Sequence, residues 1–239
     1  MKNIIQYPSK GKITSPQNNY EYFWDFEEYT LLTKDSDILT PLRLFYYKGY
    51  TSGHWNKPGY LRFKIDFTQE AKKYAVALGS HSGNFWEEAD IKARFTLDYT
   101  DKIKFVIGYR RNRADDYDGI DITTEYDYHI VVEDGVFKIQ VGNTLEETGI
   151  AFDNRNFYKF EMHYSRSSSK ANIKIYKETS NGDELLIDHY KNNDVGISRF
   201  IAQGVNTIQD TNMGLKDIMY MDLLYIKMKD FNKYRTITI

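Results

Sequence analysis

Strict two-residue alternation of apolar and polar side chains is the feature that most limits what this chain can fold into. In Tyr60–Phe67, Leu61, Phe63, Ile65 and Phe67 share one side, and Arg62, Lys64 and Asp66 share the other. The pattern returns where Ala93, Phe95, Leu97 and Tyr99 alternate with Arg94, Thr96 and Asp98. It returns again where Tyr158, Phe160, Met162 and Tyr164 alternate with Lys159, Glu161 and His163, and where Ile173 and Ile175 alternate with Asn172, Lys174 and Tyr176. A period of two sends successive side chains to opposite faces, so each stretch reads as a strand with one buried and one wet face. No long helical period intervenes, which argues against a parallel βαβ fold. About a dozen such short strands point to an all-β, two-sheet antiparallel jelly-roll sandwich.

Turn signals divide the strands. Asp134-Gly135, between Tyr128–Glu133 and Val136–Val141, is the strongest hairpin signal. Asn181-Gly182 precedes Leu185, Leu186 and Ile187 as a second turn. Thr68–Lys73 is expected to form one helical turn, Met219–Met228 a long apolar strand, and Tyr234–Ile239 a last edge strand. Residues 1–20 are polar, carry Pro8 and Pro16, and read as an extended N-terminal arm. Residues 21–239 show no break in composition and no repeat, so they are expected to form a single β-sandwich domain. The chain's 239 residues fit that reading, because all-β domains often reach this size as one unit.

Charge and cysteine content exclude several function classes. Lys+Arg number 32 against Asp+Glu 34, so the basic excess that phosphate neutralisation demands of a nucleic-acid binder is missing. Arg110, Arg111 and Arg113 cluster, but an acidic run follows at once. There is no cysteine, which excludes disulfides, thiolate metal sites and a cysteine nucleophile. No stretch approaches the ~18 consecutive apolar residues of a membrane span, so no membrane insertion is expected. Met1–Lys12 lacks an apolar signal core. Cytoplasmic expression, association with a virion, or an extracellular mature fragment all stay open.

Phe157-Tyr158-Lys159-Phe160-Glu161-Met162-His163-Tyr164, a polar turn, Ala171–Lys177, then Gly182 and Leu185-Leu186 resemble the late hairpins of the concanavalin A-like lectin/glucanase superfamily, including its laminin-G-like members. Tyr220-Met221-Asp222-Leu223-Leu224-Tyr225-Ile226 is similar to the Asp-bearing last core strand of that superfamily. The resemblance covers mainly residues 125–230. It implies two curved sheets, with glycans bound on the concave sheet or its rim and often a calcium ion nearby. Many members cleave polysaccharides, and others are only structural.

Enzymatic candidates are incomplete. One hydrolase branch of the superfamily carries Glu-x-Asp-x-x-Glu on a strand. Here Glu88 and Asp90 match, beside Glu87, but position 93 is Ala93 where the acid/base would stand. Without a proton donor the leaving oxygen departs unprotonated, at a loss of about 10²–10⁴-fold in rate. No histidine follows a glutamine in the lyase pattern, and His54, His81, His129, His163 and His189 are too dispersed for a zinc helix. Gly79-Ser80-His81-Ser82-Gly83 has His81 where a nucleophile elbow requires serine.

Binding candidates are stronger. Asp115, Asp116, Asp118 and Asp121 offer the hard oxygen ligands that Ca²⁺ prefers, although Ala114 stands at the first position of an EF-hand alignment. Ser52-Gly53-His54-Trp55-Asn56 and Ser82-Gly83-Asn84-Phe85-Trp86 set tryptophan beside glycine and asparagine. Aromatic faces with nearby polar groups suit sugars, which makes His54, Trp55, Asn56, Asn84 and Trp86 glycan-binding candidates. The row Lys159, Glu161 and His163, beside Asn172, Lys174 and Tyr176, is either a ligand-lining or a water-facing sheet surface. The expected function is a non-catalytic binding or structural module. It recognises a glycan or a protein partner, as a homo-oligomer or within a larger assembly such as a phage virion or surface complex. A polysaccharide hydrolase or lyase, and a purely structural virion protein, are the alternatives.

Overall fold

The computed structural model describes residues 19–24, 42–46, 61–71, 75–80, 86–110, 123, 125, 127–192 and 200–230. Fourteen strands and no α-helix occur among them. No helix there is long and apolar enough to cross a membrane. The first sheet runs in spatial order through β1 (Asn19–Trp24), β14 (Leu215–Asp230), β5 (Trp86–Leu97), β10 (Tyr158–Ser165), β11 (Lys170–Thr179) and β12 (Gly182–Asn192). Its seventh strand, β3 (Leu61–Asp66), pairs with Leu215–Met221 of β14, while β1 pairs with Leu224–Lys229. Both lie along one side of β14, and β5 takes the other.

The second sheet runs through β2 (Leu42–Tyr46), β4 (Ala75–Ser80), β13 (Phe200–Asn206), β6 (Ile103–Tyr109), β7 (Tyr128–Glu133), β8 (Val136–Val141) and β9 (Thr144–Ala151). Every pairing in both sheets is antiparallel.

Alternation decides what each strand buries. Tyr158, Phe160, Met162 and Tyr164 of β10 are all buried in the core, as are Ile91, Ala93, Phe95 and Leu97 of β5. Phe105, Ile107, Tyr128, Ile130 and Phe137 meet them from the second sheet. The centre is aromatic: Phe152 and Tyr158 lie 4.6 Å apart between ring centroids, and Phe137 sits 5.2 Å from each. Truncating one such ring to alanine costs about 3–5 kcal/mol. The Tyr158 hydroxyl accepts the Asp153 N–H at 2.9 Å, so this buried ring also satisfies its polar end.

The face of the second sheet turned away from this core is buried too. Val106, Val131, Ile201 and Val205 are at most 1% exposed, and His129, Gln203 and Arg110 no more than 3%. Strands buried on both faces read as apolar runs, not as alternation. With both faces covered, β6 and β13 are buried along nearly their whole length.

Turns follow local chemistry. Asp134 and Gly135 have φ of 53° and 71°, the doubly positive geometry of the two-residue hairpin expected there. Of the helical turn expected over Thr68–Lys73, residues 72 and 73 lie outside the described residues, and the described part is an Asp66-centred turn. The Asp66 carboxylate accepts the Thr68 N–H at 3.0 Å and its hydroxyl at 2.7 Å, holding the chain out of helical geometry. Burial pushes the Asp66 carboxyl up, but the bonds from Thr68 and Gln69 outweigh it and leave the group below its ordinary value.

Candidate functional site

The outer face of the first sheet carries the polar half of every alternating strand. Strand register aligns these side chains into rows that cross the sheet. The middle row is Tyr225, Lys92, Glu161, Lys174 and Asp188, on β14, β5, β10, β11 and β12. One step along the strands lies Lys227, Asp90, His163, Asn172 and Tyr190. On the other side lie Arg94, Lys159, Tyr176 and Leu185. Lys92, Arg94, Lys159, Glu161 and Tyr225 line a depression of about 470 Å³.

Ion pairs hold these side chains in place. Lys92 donates to Glu161 at 3.1 Å, and Lys159 donates to Asp183 at 2.8 Å. Arg94 grips Glu178 through Nε and Nη2 at 2.7 and 2.8 Å, and its Nη1 reaches Asp222. Its guanidinium also lies 3.8 Å from the centre of the Phe157 ring. The hydrogen bond to Glu178 holds the Arg94 guanidinium above its usual range, and the bond to Asp183 does the same for the Lys159 ammonium. His163 Nδ1 lies 2.6 Å from Asp90, and Asn172 donates to Asp188 at 2.8 Å. The depression therefore offers one aromatic ring among fixed hydrogen-bonding heads. The carboxylate in its lining, Glu161, is tied to Lys92.

No protein-family model matches the chain, and no curated protein matches it. Solved structures do. The VIP36 exoplasmic/lumenal domain in its Ca²⁺/Man2-bound form superposes with a TM-score of 0.52 at 10% identity, covering 90% of this chain and 90% of that one. Lectin I from Ulex europaeus, in complex with the methyl glycoside of α-L-fucose, gives 0.55 at 10% identity over 88% and 98%. Peanut lectin with a 9mer peptide gives 0.54 at 7% identity over 90% and 99%. The fold is the concanavalin A-like jelly roll.

On this jelly roll the sequence-derived candidates separate. Glu87, Glu88 and Asp90 all lie at the start of β5, which begins at Trp86. Glu88 and Asp90 share the outer face with Lys92, while Glu87 is skipped by a bulge in the pairing of β5 with β14. Ala93 is 4% exposed and points into the core. The pairing of β5 with β10 runs unbroken from Glu88 to Phe95, so no bulge turns position 93 outward. The three-carboxylate pattern is thus not assembled, whichever residue stands at 93. Trp86 opens β5 opposite Asp230. His54, Trp55, Asn56, Asn84, Asp115, Asp116, Asp118 and Asp121 lie outside the described residues. Among the described residues, no group of three or more His, Asp or Glu is placed to hold a metal ion.

The jelly roll also adds residues that sequence reasoning passed over. Lys92 and Arg94 were readable as outward from the alternation of β5. Tyr225 was not, because it sits in the long apolar run of β14, where only its pairing opposite Lys92 shows which face it takes.

Proposed function

We propose that the chain is a non-catalytic glycan-binding β-sandwich, with its site on the outer face of the first sheet around Tyr225. The observation that carries this is the depression in which Tyr225 lies among Lys92, Arg94, Lys159 and Glu161. An aromatic ring suits the apolar C–H face of a sugar, and fixed polar heads suit its hydroxyls. The structural neighbours support the reading: the VIP36 domain holds Man2, Ulex europaeus lectin I holds a fucose glycoside, and Ulex europaeus lectin UEA-II holds galactose. The hydrolase alternative is weaker, because position 93, where its acid/base would stand, is an alanine turned into the core. A glycan array, followed by calorimetric titration of the strongest hits against the parent and Tyr225→Ala, tests the site. Loss of about tenfold or more in affinity, near 1.4 kcal/mol, is expected. Unchanged affinity in Tyr225→Ala removes this face from the account.

Trp55 and Trp86, the latter at the start of β5, are proposed as a second sugar contact, and Trp55→Ala with Trp86→Ala tests them in the same titration. Calcium is a separate proposal. It rests on the acidic run Asp115, Asp116, Asp118 and Asp121, and on the Ca²⁺-bound form of the VIP36 domain. Membership of a larger assembly, such as a virion or surface complex, is a further proposal, and sedimentation of the purified chain with and without lysate partners tests it.

A further inference from the structure

Tyr225 is one end of a longer feature. The row that starts there crosses β5, β10 and β11 and ends on β12. At ~4.8 Å per strand, those four steps cover about 19 Å. The far end is aromatic again. Tyr190 of β12 is 58% exposed, the most exposed large apolar side chain among the described residues. It sits one step along β12 from Asp188, and Tyr176 lies one strand inward on the other side of Lys174. Lys174 stands between the two rings, its ammonium raised by Asp188 first and then by Tyr176 and Tyr190. The core does not account for Tyr190: Ile173, Ile175 and Ile187 fill the inner side of this corner and are buried. With Leu185, 48% exposed opposite Tyr176, Tyr190 makes an apolar patch at this corner, which points to a contact surface.

Charge between the two aromatic ends cancels along the row. Lys92 is paired with Glu161 at 3.1 Å, and Lys174 with Asp188 at 3.7 Å. Beside them, Arg94 is held by Glu178 and Asp222, and Lys159 by Asp183. A face built this way exerts little net field on an ionic ligand. An anionic chain has to pull Lys92 or Lys159 from its partner, whereas hydroxyl groups can bridge existing pairs without separating charge.

We infer that the ligand of this face is an uncharged linear oligosaccharide lying across the strands, seated on Tyr225 at one end and on Tyr190 with Tyr176 at the other. This rests on the glycan-binding reading above and adds the ligand's charge, its direction and its length. The face selects a chain, because a single sugar at Tyr225 does not reach β12.

The test is calorimetric titration with neutral ladders from xylan, mannan and β-glucan, from monosaccharide to hexasaccharide. Polygalacturonate and heparin serve as anionic probes. The proteins are the parent, Tyr190→Ala and Tyr225→Ala, with thermal melting to confirm that each folds. In the parent, affinity for one ladder is expected to climb with chain length and to change little between low and high salt. Tyr190→Ala is expected to lose about tenfold for the long members and to match the parent for the disaccharide.

Equal length dependence in the parent and Tyr190→Ala overturns the inference. So does tighter, strongly salt-dependent binding of an anionic probe. So does a dimer in sedimentation that Tyr190→Arg dissolves, because a second copy then occupies the face. A plateau at the disaccharide, with Tyr225→Ala still defective, removes the extended site alone. No binding by any ladder, or full binding by Tyr225→Ala, removes the parent reading and this inference together.

Discussion

Arg94 on β5 reaches past β10 to clamp Glu178 on β11 with two parallel hydrogen bonds of 2.7 and 2.8 Å. The pair therefore ties together strands that do not touch. It also fixes one wall of the depression beside Tyr225, since Lys159 beneath it has Glu178 within 3.8 Å.

Arg94→Lys is the direct probe of this clamp. Lysine keeps the charge but cannot present a planar fork to a carboxylate or stack on Phe157. Both partners are more than a fifth exposed, so solvent screens the pair. Urea unfolding is expected to show a loss of about 1 kcal/mol for Arg94→Lys and somewhat more for Arg94→Ala. Equal stability of all three proteins means the clamp does not hold the sheet.

His129 supplies a pH signature. Burial, and then the charge of Arg110, depress its imidazole from 6.5 to about 3, so it stays neutral in the folded protein. Its Nδ1 faces the Tyr109 carbonyl at 3.0 Å. Below pH 6.5 the unfolded chain takes up a proton at this residue and the folded chain does not, which favours unfolding. The contribution is fully present above pH 6.5 and is lost as pH falls toward 3, by up to about 1.4 kcal/mol per pH unit. His129→Asn is expected to flatten the stability profile between pH 6.5 and 4.5, measured by urea unfolding at fixed salt. A profile parallel to the parent's contradicts this.

Gly108 tests the closest approach of β6 to β7. Its φ is +140°, and an added Cβ would lie 2.7 Å from the His129 Cα, a backbone atom that cannot swing aside. Gly108→Ala is expected to destabilise by about 1–3 kcal/mol, read as a lower midpoint in thermal or urea unfolding. Gly149 makes the control: its φ is +69°, but nothing lies within 4 Å of an added Cβ, so only the backbone cost remains.

Calcium is tested by thermal melting with added Ca²⁺ against EGTA. A higher melting temperature in Ca²⁺ is expected, and the combined substitution of Asp115, Asp116, Asp118 and Asp121 by Asn is expected to abolish the difference. An identical shift in that variant assigns the ion elsewhere.

The sequence exposed whatever depended on near neighbours. The inward set of β10 and the Asp134-Gly135 hairpin are local, set by a period of two and by one positive-φ dipeptide. Long-range pairing was hidden. Nothing within Met219–Met228 tells that Tyr225 lands opposite Lys92, because its two charges, Asp222 and Lys227, fall on opposite sides of a strict alternation and mark no single face. Bulges between Asp217 and Met219, and between Met221 and Leu223, shift the register again. The Arg94–Glu178 clamp needed three strands in register, and no alternation rule supplies that order.

β14 gives the chain a schedule. Its sixteen residues complete the seams with β1, β3 and β5, strands drawn from the first hundred positions. During synthesis those strands emerge long before their partner does. Until residues 215–230 leave the ribosome, β3 has no partner among the described strands and β5 lacks one of its two, leaving edges open to other chains. Such late, distant closure belongs to slow-folding topologies. A nascent chain stalled ahead of Leu215 therefore carries open strand edges that the finished chain closes.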